Sequence, residues 1–215
     1  MAVTKLDLYN LALLELKASP LVSLTEARES RRVLDVHYPR VLAYMLEQGF
    51  WNFAMRTVEI TQDAAVTPAF GYSMAFNKPT DWVRTFAISL NERLEPILSQ
   101  YIEESNLWFA DAGPLYVRYV SNSVSGYGYD LTRFTERYIK AFYFELAARS
   151  CSKVAGSSDG LKDDLEKKAK GFLVEAQQFE ALREPAQMLP QGRWNAGRFA
   201  RGGDNGRWSG PYRTR

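Results

Sequence analysis

The chain has 215 residues, 46% of them hydrophobic and 24% charged, with a formal net charge of +2. That is the composition of one globular domain with enough apolar side chains for a core. A single cysteine, Cys151, excludes an internal disulfide, and no apolar run approaches the ~20 residues of a membrane span.

The opening stretch, MAVTKLDLYNLALLEL, is interrupted by Asp7, Asn10 and Glu15 and has no small-residue cleavage site after it, so it does not read as a signal peptide. The expectation is a soluble protein, cytoplasmic when made. Residues 4–18 predict a first helix. Thr4 and Asp7 have capping-box spacing, and Leu6, Tyr9, Leu13 and Leu16 form one apolar stripe. Ser19-Pro20 ends it, because a proline disfavours helical geometry in the residue before it. A second helix is expected from Ser23-Leu24-Thr25-Glu26, again a capping box, to Phe50-Trp51. Its apolar pairs recur every four residues: Val33/Leu34, His37/Tyr38, Val41/Leu42 and Met45/Leu46. Pro39 falls inside and predicts a kink or a split in two.

The pattern changes over about 56–130. Alternating, β-branched and aromatic stretches occupy 56–61, 82–90 and 115–121, separated by Pro68, Pro79, Pro96 and Pro114. This predicts a small antiparallel sheet, or hairpins, with residues 121–130 as a loop. A third helix is expected over 132–154, with Phe134, Tyr138, Phe142 and Leu146 on one side. A fourth is expected over 159–184, with Leu161, Leu165, Ala169, Phe172, Ala176 and Phe179 as its stripe, and Glu184-Pro185 ends it. The fold class is therefore mainly α: a four-helix core with antiparallel β hairpins inserted between helices two and three.

Residues 190–215 differ from everything before them. They contain no Leu, Ile, Val or Met, are punctuated by glycine, and carry six arginines and one aspartate, a charge of +5 that leaves −3 on residues 1–189. Four aromatic residues lie among the arginines. Flexible backbone, Arg forks and bulky rings suit an extended arm that orders on a partner. At ~3.3 Å per residue such an arm reaches about 85 Å, against a body radius of gyration of roughly 16 Å. The docking residues of the arm are Arg193, Trp194, Arg198, Phe199, Arg201, Arg207, Trp208, Tyr212 and Arg213. A protein surface suits them, since Arg makes directional, weakly hydrated contacts. The alternative is a nucleic-acid-binding arm, because Arg with interleaved rings and glycine also suits single strands.

Five segments in fixed order carry a family likeness. They are Asn10-Leu11-Ala12-Leu13 with Val22-Ser23-Leu24; Trp51-Asn52-Phe53-Ala54-Met55-Arg56; Tyr72 to Pro79-Thr80-Asp81-Trp82-Val83-Arg84; Pro114-Leu115-Tyr116-Val117-Arg118-Tyr119; and Phe144-Glu145-Leu146-Ala147-Ala148-Arg149. Over roughly residues 5–185 the series resembles the head-to-tail adaptor family of short-tailed bacteriophages, also called tail tubular protein A or head completion protein. The resemblance implies a structural virion protein. It implies a ring of twelve copies docked under the capsid portal protein, with the tail nozzle protein below and DNA passing through the bore without sequence-specific binding. It also implies that the C-terminal arm runs along the portal. The expected location is the head–tail junction of the virion, and the host cytoplasm during assembly.

No enzymatic reading emerges beside it. His37 and Cys151, the lone histidine and cysteine, fall on helical stretches where core packing explains them, and together they make no usual zinc site. Glu103-Glu104 and Asp163-Asp164 are sequence neighbours, which says nothing of a facing acid–base pair, so a solvated surface explains them. Gly126-Tyr127-Gly128-Tyr129 reads as a loop and not a phosphate cradle. Trp51, Phe53, Trp82 and Trp108 read as core, or as contacts between subunits in a ring. No catalytic residue, cofactor, metal or membrane anchor is expected.

Overall fold

The computed structural model describes residues 3–69, 71–156 and 159–183. The expected arm at 190–215, with all nine of its docking residues, lies outside them.

Helix α1 (Lys5–Glu15) begins at the expected capping box: the Thr4 hydroxyl accepts from the Asp7 amide, and the Thr4 amide donates to the Asp7 carboxylate. It stops earlier than the Ser19-Pro20 signal suggested. Lys17 turns to φ +55°, its amide donates to the Leu14 carbonyl, and the Ala18 amide donates to the Leu13 carbonyl. Those two bonds make a Schellman motif, with a lysine where glycine is usual.

Helix α2 (Glu29–Glu47) starts about six residues after the predicted box. The box forms, but as a local turn. Glu26 accepts from the Ser23 amide and the Ser23 hydroxyl caps the Thr25 amide, so the motif satisfies its own backbone without launching a helix. Pro39 does not split α2. It is exposed, so the carbonyl of Asp35 that loses its helical donor is on the outer side.

The insertion holds six strands: β1 (Met55–Ile60), β2 (Met74–Asn77), β3 (Trp82–Ser89), β4 (Ile102–Glu104), β5 (Leu107–Ala110) and β6 (Leu115–Ser121). They form two antiparallel three-stranded sheets, ordered β1-β6-β3 and β2-β5-β4. The three long strands match the sequence expectation closely. The second sheet was not expected: its strands are three or four residues long, too short to show a period. Its β4–β5 turn is Ser105-Asn106, with Ser105 at φ +45° instead of the glycine that marks such turns. After a short turn at Leu131–Arg133 come α3 (Glu136–Val154), capped by the Thr135 hydroxyl, and α4 (Asp159–Leu182). All four predicted stripe residues of α3 are buried.

Strand β6 serves two cores. Leu115, Val117 and Tyr119 face the second sheet and pack with Phe76, Ile88 and Trp108. Val120, on the other face, joins the helical core with Trp51, Tyr138 and Phe142. The period-2 alternation of one strand thus welds the β sandwich onto the helices.

The α1 terminus yields a stability prediction. A non-glycine residue in left-handed backbone costs about 1 kcal/mol. Lys17→Gly is expected to raise the melting temperature by about 2–4 °C, as ~1 kcal/mol does for a domain of this size. A lowered melting temperature in calorimetry would contradict the Schellman assignment.

Candidate functional site

The residues that carried the sequence likeness come together as the joints of the fold. Trp51 is fully buried, its indole N–H donates to the Met45 carbonyl at 2.8 Å, and its ring meets Tyr138 edge-on at 4.8 Å. Phe53 packs against Tyr138 and Phe134 at 4.9 and 5.2 Å. Asn52, between them, ties the far end of α4: its amide donates to the buried Glu180 carboxylate at 3.0 Å and its side chain to the Glu180 carbonyl at 3.3 Å. Gln177 adds a bond to the Gln48 carbonyl at 2.6 Å. One tetrapeptide thereby closes α2, α3, α4 and the start of β1 on one another. Trp51, Phe53, Trp82 and Trp108 all belong to the packed interior or its margin, as read from the sequence.

Asp81 is the polar joint of the first sheet. It accepts from Arg56 at 2.8 Å, from the Tyr119 hydroxyl at 2.9 Å and from the Ser121 hydroxyl. Burial opposes its ionisation, but the bonds from Ser121, Arg56 and Tyr119 outweigh that and hold its pKa below the ordinary value. A neighbouring joint closes the two sheets. The Lys78 ammonium, its side chain only 4% exposed, lies 3.8 Å from the Trp82 ring centroid, pairs with Glu103 at 2.9 Å and donates to the Ser105 carbonyl. Glu103 also accepts from Thr85 and Trp108. Glu103 and Glu104 are both exposed, as expected from the sequence, and Glu103 is in addition a hydrogen-bonding partner at the surface.

Smaller joints follow the same pattern. Asn10 holds the backbone of Leu21 with both ends of its amide, at 3.0 and 2.8 Å. Glu145 and Arg149 pair at 2.7 Å, with the guanidinium over Tyr44. Gly128 passes so close to the end of β6 that an added Cβ would lie 2.2 Å from the Ser121 carbonyl oxygen, so this loop is packed against the strand.

The remaining candidates are not brought together. Cys151 is buried, and burial pushes its thiol pKa up. His37 is half-buried and not in the core, another departure from the sequence reading. Burial first, then Arg149 and Arg40, lower its pKa. No hydrogen bond joins the two among the described residues. Asp163 and Asp164 are exposed on α4, where Asp164 pairs with Lys168. Among the described residues no cluster of three His, Cys, Asp or Glu is placed to hold a metal ion, and no helix is long and apolar enough to cross a membrane.

What the sequence reading missed is the outer surface. Leu14 on α1 is 70% exposed, and with Asp7, Asn10, Leu11, Ala18 and Pro20 it lines an open groove of about 380 Å³. The signal was available: α1 carries leucine on both of its faces, which a helix covered on one side only does not need.

No family model matches the chain, and no curated protein matches it.

The Asp81 joint makes a pH prediction. A carboxylate whose pKa is depressed on folding contributes stability above its unfolded value, about 3.9, and loses it as pH falls through the folded value. Asp81→Asn is expected to cost about 2–4 kcal/mol at pH 7, and to lose less of its remaining stability between neutral and acid pH than the unsubstituted chain. Urea titrations at both pH values check this; equal losses would show that Asp81 does not carry the linkage.

Proposed function

We propose that this protein is a structural subunit of a phage virion, a ring-forming adaptor between the capsid portal and the tail nozzle. It works by attachment and not by catalysis, and its bore continues the channel through which DNA leaves. The observation that carries this reading is the position of the likeness in three dimensions. Each of the five segments contributes a joint: the Asn10 clamp, the Trp51–Phe53 hub, the Asp81 node, the two-faced strand β6, and the Glu145–Arg149 pair. Each segment of the likeness is used by this fold as a joint, and that is what supports the reading.

The body offers joints whose polar groups, at Asp81 and Lys78, are satisfied within the fold. Attachment then falls to the surface and to the Arg- and Trp-bearing C-terminal segment. The repeated Gly-Arg-Trp at 192–194 and 206–208 supplies two ring anchors, and a buried Trp anchor commonly contributes about 2–4 kcal/mol, more than a rim charge. The competing reading, a nucleic-acid arm, makes arginine count and salt decisive.

Two outcomes are expected. Deleting 190–215 leaves the melting temperature of the body within a few degrees and abolishes retention on the portal protein. Trp194→Ala with Trp208→Ala weakens portal binding at least tenfold more than Arg213→Ala with Arg215→Ala, at both low and high salt. A larger loss from the arginine pair, with binding that collapses as salt rises, would contradict the adaptor reading and favour the nucleic-acid one.

A further inference from the structure

The groove on α1 lies on a face that points away from the helical core. Of the residues that line it, Asp7 and Leu14 are exposed, while Leu11, and Ala18 past the helix end, also pack against the helical core. Asp7, Leu11 and Leu14 of α1 are spaced four and three apart. That is the spacing of a seam made for another helix. Along its margin, Asp7, Leu11 and the half-buried Glu15 form one i, i+4, i+8 row, acid–apolar–acid.

The outward face of α2 carries the opposite row. Arg32, Val36 and Arg40 are also i, i+4, i+8, base–apolar–base, with Val36 57% exposed and both arginines exposed. Among the described residues the ion pairs of this region use Arg28 and Arg31, and neither Arg32 nor Arg40 has one. Eight residues at ~1.5 Å rise put the like charges about 12 Å apart on each helix. The two rows therefore match in length as well as in sign. Laid side by side with Leu11 against Val36, the two acids of one row meet the two arginines of the other in either direction.

We propose that the α1 face of one copy of this chain is covered by the α2 face of the next, with the two rows in this register. The contact uses two different faces, so it is heterologous: an open assembly keeps one free face of each kind and can add another copy, which gives a ring where the rotation closes. Apolar rows at four-residue spacing interdigitate as ridges, while the flanking charges fix register more than they add affinity. The inference rests on the ring reading and names the faces that would build the ring.

Cysteine trapping tests it with the full chain. The double variant Leu14→Cys, Val36→Cys places thiols at exposed positions, and Cys151 is buried. Treated with a short bismaleimide at high protein concentration, it is expected to give a ladder of three and more linked copies. Adding Arg32→Glu and Arg40→Glu is expected to reduce linked product at least fivefold. A mixture of the two single-cysteine variants is expected to link as a heterodimer, above the background set by Val124→Cys on its exposed loop. A ladder that stops at the dimer, a Leu14→Cys homodimer, or no product above background overturns the proposal. Sedimentation of the same samples separates the two ideas: larger assemblies without the link overturn this contact and leave the ring reading standing.

Discussion

Seven rings run through the helical core as one chain of contacts. Tyr9 on α1 meets Tyr38 on α2 at 5.7 Å, Tyr38 meets Phe142 on α3 at 5.6 Å, and Phe142 leads through Tyr138 and Phe134 to Phe53 and Trp51. Most of the contacts are edge-on or tilted, the arrangement the ring quadrupole prefers, and each adds about 0.5–1.5 kcal/mol beyond its area burial. The chain joins elements far apart in sequence, and the rest of the fold depends on it. Trp51 and Phe53 sit where α2 ends and β1 begins, so fixing these rings also fixes the direction in which the β insertion leaves the helices.

The insertion is then held by polar groups where apolar area is small. Asp81 gathers Arg56, Tyr119 and Ser121, while Lys78 gathers Trp82, Glu103 and the Ser105 carbonyl. Both sites are satisfied by several partners, the condition under which a half-buried charge stabilises instead of costing. These polar groups face one another, and among the described residues Leu14 on α1 and Val36 on α2 are apolar side chains left outward.

Much of this was legible in the sequence because the signals were periodic. The stripe Phe134, Tyr138, Phe142, Leu146 and the alternation of β6 located their elements to within a few residues. The losses were local. Ser23–Glu26 has the letters of a helix start, but its bonds close on themselves and α2 waits until Glu29. Strands β2, β4 and β5 are too short for a period, and their hairpin turns on Ser105 without glycine. The polar joints were invisible for another reason: Asp81 and Tyr119 are thirty-eight residues apart, and Asn52 and Glu180 one hundred and twenty-eight. Only the folded chain makes them neighbours. The expected docking residues of 190–215 were read from composition and lie outside the described residues.

The account stands on attachment to a portal, and imaging addresses that directly. The full chain mixed with the portal protein of its virion, and each component alone, are to be compared by electron microscopy. The account predicts a ring of this protein added coaxially to one face of the portal, with an open bore aligned on the portal channel. Portal rings that remain bare while the protein coats single-stranded DNA or RNA would contradict it.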